Sequence, residues 1–375
     1  MIFELFAIYA SIILGCIIST TSLILLDKNW GPLPHYYLQF IEWIQSFYGK
    51  IYPETDEAPW PAIIKKVLVY VLDRSAIELI GMFRDDLSTT YSETLLRTSP
   101  LPHWTMAQKA LFYFTMFFRF GFLFPTRLCL LLISFAFFAG SAFVAVNKKL
   151  SDKEKTWVGI IYCRLYCSAM GVVATYKNKR FRPKEAGVAI SNHLTPNDVQ
   201  LLFAGTPLGS SHGFVVTGQK HTGIIGSLET LAEKVCPTFW VERKSANGRK
   251  EFLAELVKRA KFGGPVLLFP EGYCSNNTQV LQFRKAIFEE GITIYPIAIK
   301  QDSRFGDSFW QEDGFNSYLL RVMSSWATPI DVTYLPPMKR LPRETNAEFA
   351  ARAQAAISDV VGVRAGEFDG LLWYR

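Results

Sequence analysis

The chain has 375 residues, a net charge of +7, 15% aromatic residues and a positive mean hydropathy of +0.15. That length accommodates one α/β catalytic unit plus accessory segments, while the apolar, aromatic balance argues against an ordinary soluble enzyme and turns attention to membrane segments. Basic character combined with long apolar runs points to anionic lipid headgroups and phosphate-bearing substrates, so no nucleic-acid partner is expected.

Leu5 to Leu26 is uncharged for 22 residues, enough at about 1.5 Å per residue to cross a hydrocarbon layer of about 30 Å. Residues 1–26 therefore read as a transmembrane anchor. A cleaved signal peptide fits less well, because Glu4 and no Lys or Arg precedes the run, and the run exceeds an h-region. Residues 27–109 are mixed: aromatic-rich from Tyr36 to Tyr52, loop-like from Pro53 to Pro61, then apolar at helical spacing through Ile63, Ile64, Val67, Leu68 and Leu72. An interfacial helix and a packing collar are both open for this region.

A second apolar region, 110–146, has two arms separated by Pro125-Thr126-Arg127. The first arm is short and holds Arg119, which favours a membrane hairpin that enters and returns. Lysines and arginines flank the apolar regions, from Lys28 to Lys109 and again at Lys148, Lys149, Lys153 and Lys155, so both flanks are expected on the cytosolic side.

From about residue 147 the pattern becomes short apolar runs alternating with helical segments. Strands are predicted at 171–176, 187–191, 213–217, 238–241, 265–269, 293–299 and 331–334, with a clear helix at 249–262. This alternation implies an α/β fold with an open, mostly parallel or mixed sheet flanked by helices, extending over 147–345. A final helix and tail occupy 346–375, with Thr345 and Glu348 at capping-box spacing. A basic cluster, Lys177, Lys179, Arg180, Arg182 and Lys184, is either a solvated face or an anion site. The six cysteines form no CxxC pair and no dense pattern, so a reducing compartment and no metal site are expected.

Two strings carry the chemistry. Val188-Ala189-Ile190 is a buried strand that delivers Asn192 and His193 into a loop, and Thr195-Pro196 has the form of an N-cap and first helical position. Asp198 then falls in the first helical turn, where its carboxylate can fix the His193 tautomer and stabilise the imidazolium. About seventy residues on, the apolar strand ending at Phe269 is stopped by Pro270-Glu271-Gly272, which places a carboxylate at the carboxyl edge of the sheet, where open α/β sheets put ligands. Between them, Phe239-Trp240-Val241-Glu242-Arg243 ends in a guanidinium suited to phosphate.

In this order, together with Tyr295-Pro296-Ile297-Ala298-Ile299, these blocks resemble the glycerolipid acyltransferase superfamily, which includes lysophosphatidate and glycerol-3-phosphate acyltransferases. The run from Phe269 to Thr278, then Gly306 to Trp310 and Ser324 to Met338, is most similar to the endoplasmic-reticulum type of glycerol-3-phosphate acyltransferase, with Tyr273 where that branch usually has threonine. The resemblance implies catalytic His193 and Asp198, and acceptor binding by Arg243, Glu271 and Gly272, with Arg243 the direct phosphate partner and Glu271 orienting Arg243 or binding a glycerol hydroxyl. It implies no cofactor beyond acyl-CoA as co-substrate, glycerol 3-phosphate as acceptor, membrane lipids as surroundings, and an endoplasmic-reticulum membrane location with a cytosolic catalytic domain. Its alternatives are a lysophospholipid acyltransferase and a membrane-bound acyl-CoA hydrolase. The Asn276-Asn277-Thr278 sequon is expected to be unused in that orientation.

Overall fold

A computed structural model describes residues 2–51, 105–211, 213–219, 230, 232–236, 238–241, 254–261, 264–306, 308–310 and 315–367. The helix expected near Ile63 to Leu72, and the residues Glu242 and Arg243, lie outside them. The chain forms two compact units, neither of them contiguous: Met1–Leu130 with Ser168–Val173 and Gln301–Ile330, and Leu131–Cys167 with Ala174–Lys300 and Asp331–Arg375.

The first unit opens with helix α1 (Ile2–Leu25). Phe3, Leu5, Phe6, Ile8, Ile12, Leu14 and Ile18 each expose more than half of their surface, as a lipid-facing helix would. Helix α2 (Leu33–Ile51) follows, and its buried Ile41 and Ile44 pack with Phe112, Phe305, Trp326 and Ala327. Helix α3 (Met106–Phe118) runs into a π-helical turn, Arg119–Leu123, and on into helix α4 (Phe124–Asn147). Both Phe3–Leu25 and Lys109–Asn147 are long and apolar enough to cross a membrane.

The reversal expected at Pro125-Thr126-Arg127 is absent: the backbone stays helical there. Proline withholds an N–H from the carbonyl four residues earlier and its ring crowds that carbonyl. The wider π-turn directly before it absorbs the crowding. Gly121, the residue whose carbonyl Pro125 cannot serve, accepts instead from the Tyr9 hydroxyl.

Arg119 is likewise explained by packing. The side chains of Arg119 and Arg127 are buried and reach the segment after residue 322, where a helix at Phe315–Ser324 ends. Arg119 Nε donates to the Ser324 carbonyl at 2.7 Å. Arg127 donates to the carbonyls of Met323, Ser325 and Trp326 at 2.8, 2.5 and 2.7 Å. Helix C-termini leave carbonyls unpaired and carry partial negative charge, so two guanidinium groups satisfy both deficits. Gly171, at φ +65°, is required beside them, since a Cβ there would lie 2.4 Å from an Arg127 nitrogen.

The second unit contains helix α5 (Asp152–Ala169) for most of its length, and the core of a seven-stranded sheet. Its strands are β1 (Val172–Lys177), β2 (Val188–Ser191), β3 (Val215–Gln219), β4 (Thr238–Val241), β5 (Val266–Leu268), β7 (Ile294–Gln301) and β8 (Thr328–Tyr334), in the order β1-β8-β7-β2-β5-β3-β4. The strands β7, β2, β5, β3 and β4 run parallel, as the alternation predicts. All seven predicted strands are present, with ends shifted by at most three residues. The pair β6 (Gln279–Val280) and β9 (Arg364–Ala365) was not anticipated, being two residues long each. Helix α6 (Asp198–Ala204) follows β2, α7 is the Phe315–Ser324 helix, and α8 (Asn346–Val361) begins at the Thr345–Glu348 capping box read from the sequence. Phe349, Ala353, Ile357 and Val361 of α8 pack on Val188, Ile190, Val266 and Ile294 of the sheet.

Removing one guanidinium tests the first unit. Arg127→Leu takes this donor from the Met323 and Ser325 carbonyls and leaves the Trp326 carbonyl with the Tyr37 hydroxyl alone, and is expected to destabilise by about 3 kcal/mol. A thermal-unfolding midpoint in detergent equal to that of the unaltered chain would show that these hydrogen bonds contribute nothing net.

Candidate active site

The carboxyl ends of β2 and β5 bring the two strings together. Asn192 continues β2 past its last strand residue: its amide donates to the Ile299 carbonyl and its carbonyl oxygen accepts from the Ile299 N–H, both at 2.8 Å. The side chain thus mimics one more rung of the β2–β7 ladder and sets the exit direction of the loop.

His193 is held at both ends. Its backbone N–H donates to Glu271 Oε1 at 2.8 Å, and its carbonyl accepts from the Ser275 N–H at 2.7 Å. Its ring Nδ1 lies 2.9 Å from Asp198 Oδ2. Phe269 stacks on the imidazole with centroids 4.2 Å apart and planes at 20°. The His193 side chain is 19% exposed and Asp198 only 1%, so the imidazole can meet a substrate while its partner cannot.

Asp198 is fixed by the loop it serves. Its Oδ2 also accepts from the backbone N–H groups of Leu194 and Thr195 at 2.7 and 3.0 Å, and Oδ1 from the Thr195 hydroxyl at 3.3 Å. The helix starts two residues later than expected: Asn197, not Thr195, precedes α6, and Pro196 lies outside it. The Thr195 hydroxyl instead accepts from the Asn197 N–H at 2.9 Å, and the Asn197 side chain accepts from the Tyr166 hydroxyl at 2.8 Å. A short side-chain turn competes here with helix capping.

Burial works against charging His193. The Cys274 thiol, which hydrogen-bonds the imidazole, and the Asp198 carboxylate outweigh it and hold the pKa well above the ordinary imidazole value. The pair therefore favours the imidazolium, the form created when the ring takes a proton from a hydroxyl.

Glu271 lies beneath the histidine loop. Its side chain is fully buried, and its oxygens accept from the backbone N–H groups of His193 at 2.8 Å and Leu281 at 3.0 Å. Burial pushes its pKa up to about 8, with those two amide donors pulling the other way. Its two oxygens thus face the histidine loop and Leu281, an arrangement that positions His193. Gly272, at φ +77°, makes the turn, and a Cβ there would lie 2.8 Å from the Arg284 guanidinium carbon. Arg284 also lies over the Tyr273 ring at 5.9 Å and keeps a buried Nε without a hydrogen-bond partner among the described residues. Sequence reading missed this cation because nothing in its spacing links it to the turn. Pro270 accepts from the Arg284 N–H at 3.1 Å, which is what folds the later segment back. Pro296 lies in β7, paired with Ile190 of β2, and supports the sheet below the site.

Residues 173–300 match the family model described as Acyltransferase. Glycerol-3-phosphate acyltransferase 3 of Mus musculus is 37% identical over 67% of this chain and 58% of its own length. Glycerol-3-phosphate acyltransferase 4 of Mus musculus is 36% identical over 68% of this chain and 55% of its own length. The chain thus spans little more than half the length of these relatives. The solved 1-acyl-sn-glycerophosphate (LPA) acyltransferase PlsC from Thermotoga maritima aligns with a TM-score of 0.46 at 15% identity, covering 63% of this chain and 95% of that one.

The position of Glu271 has a kinetic consequence. Glu271→Gln places an N–H₂ against a backbone N–H and loosens the His193 loop, so kcat is expected to fall about 100-fold with KM for the acceptor nearly unchanged. A large rise in KM with kcat preserved would return Glu271 to acceptor binding.

Proposed function

We propose that this chain, whose residues 173–300 match the Acyltransferase family model, transfers an acyl group from acyl-CoA to the sn-1 hydroxyl of glycerol 3-phosphate, giving lysophosphatidic acid. The observation that carries the proposal is the contact of His193 Nδ1 with the buried Asp198 carboxylate, at the carboxyl edge of the sheet. The 37% identity to a glycerol-3-phosphate acyltransferase supports the acceptor.

In this reading His193 takes the proton of the glycerol hydroxyl as its oxygen attacks the thioester carbonyl. Asp198 stabilises the imidazolium, the tetrahedral intermediate collapses, and the CoA thiolate leaves without needing strong acid assistance. Water attack on the same thioester would give hydrolysis, so acceptor positioning decides the outcome. Arg284, packed against Gly272, and Arg243 by resemblance are the cations assigned to the acceptor phosphate. Glu271 serves them indirectly by holding the loop that carries the base.

The two long apolar helices are assigned as membrane segments, with the domain on the cytosolic face of the endoplasmic reticulum, where acyl-CoA is supplied. The Asn276 side chain is only 6% exposed and accepts from the Thr278 hydroxyl at 2.7 Å, which fits an unglycosylated sequon.

Purified protein given labelled acyl-CoA and glycerol 3-phosphate, lysophosphatidate, lysophosphatidylcholine or water is expected to acylate glycerol 3-phosphate fastest. His193→Ala should lower that rate by about 10² to 10⁴. Preference for a lysophospholipid would move the protein to the neighbouring acceptor class, and release of free fatty acid regardless of acceptor would make it a hydrolase.

A further inference from the structure

The basic cluster at 177–184 divides in the structure. Lys177 is paired with Asp331 at 2.6 Å, and Arg180 stacks on Phe181 with 4.6 Å from guanidinium carbon to ring centroid. Arg182 and Lys184 instead line a cavity of about 300 Å³ whose other walls include Thr206, Ser210 and Ser211. That volume is at the lower end for a small-molecule site.

Its location separates it from His193. Residues 182–184 lead into β2, Phe214 into β3 and Pro265 into β5, so the cavity lies at the amino edge of the parallel strands. His193 and Glu271 follow the carboxyl ends of the same strands. The two edges are about 13 Å apart along the four residues of β2.

The lining carries two cations and no carboxylate. Glu185, the one acid on the 178–187 loop, is not part of it and acts on Tyr295. Arg182 is oriented rather than free to swing: its Nε lies 3.4 Å from the Tyr334 hydroxyl and its guanidinium carbon 5.2 Å from the Tyr334 ring centroid. No other hydrogen bond to its terminal nitrogens is found among the described residues. Thr206 is 5% exposed, and its buried hydroxyl has no partner among the described residues. A buried hydroxyl without a partner costs about 1–3 kcal/mol unless something supplies one, and a ligand oxygen would.

We propose that this amino-edge cleft binds a phosphate group, held by Arg182 and Lys184 with the hydroxyls of Thr206, Ser210 and Ser211, at a site separate from the acyl-transfer centre. A fixed guanidinium, a mobile ammonium and hydroxyl donors form the donor set that suits phosphate. The phosphate can belong to a lipid headgroup or to a free phosphate compound, and two arms of one experiment distinguish them.

The full chain is reconstituted in phosphatidylcholine nanodiscs, and amide hydrogen exchange of residues 206–211 is followed while inorganic phosphate is added. The second arm replaces part of the phosphatidylcholine with phosphatidate and adds no phosphate. Protection is expected in at least one arm, equally in the His193→Ala chain, so that it is independent of acyl transfer. Protection by inorganic phosphate indicates a free phosphate ligand; protection by phosphatidate alone indicates a headgroup. Arg182→Gln and Lys184→Gln should each weaken the apparent affinity about tenfold, as loss of one charge-assisted contact does. Arg182→Lys, which keeps the charge, and exposed Lys184 guard against loss of fold as the cause. Exchange unchanged in both arms, or protection undiminished in the two glutamine variants, overturns the proposal.

Discussion

A buried acid, Glu271, tied to the backbone of His193 is the constraint on which the site depends. Glu271 belongs to one strand end and His193 to another, and the 2.8 Å bond between them joins the two strings that the chain separates by almost eighty residues. A carboxylate without solvent must be hydrogen-bonded or neutral. Here burial raises the pKa to about 8 while two backbone N–H groups hold the oxygens, and in doing so they fix the loop from which the imidazole projects. The second amide, from Leu281, ties in the segment that brings Arg284 beside Gly272. One interaction therefore registers base, turn and cation.

The side-chain end of His193 is fixed separately. Asp198 sets the tautomer, Phe269 sets the ring plane and the thiol of Cys274 lies against the imidazole. Position and chemistry are divided between two carboxylates: Glu271 places the residue and Asp198 tunes it. Such division favours a base that needs little reorganisation when the acceptor arrives, which is the condition under which proximity contributes most to rate.

The strands were legible because parallel strands buried on both faces read as short, nearly continuous apolar runs. The His193–Asp198 pair was legible because four or five residues across a loop-to-helix junction leave few geometries. What sequence could not supply was direction. Glu271 ends a strand just as a ligand-binding carboxylate would, and only the three-dimensional path of Leu281 shows that its oxygens turn inward. Arg284 was hidden for the same reason, since its approach to Gly272 depends on a chain reversal through Pro270. The expected break at Pro125 failed because a π-turn and the Tyr9 hydroxyl together absorb what proline removes. In the basic cluster, charge counting could not separate Lys177, already paired with Asp331, from Arg182 and Lys184, which face a cavity.

The central claim is that Cys274 and Asp198 together make His193 a stronger base than an ordinary imidazole. It is tested most directly by titrating the ring itself, with labelled histidine followed by NMR in the detergent-solubilised chain and the His193 signal assigned by its loss in His193→Ala. The account predicts a midpoint above the ordinary value of about 6.5 and a downward shift in Asp198→Asn, because removing the negative partner makes the imidazolium less favourable. A midpoint at or below about 6.5, or one that Asp198→Asn leaves in place, would contradict it.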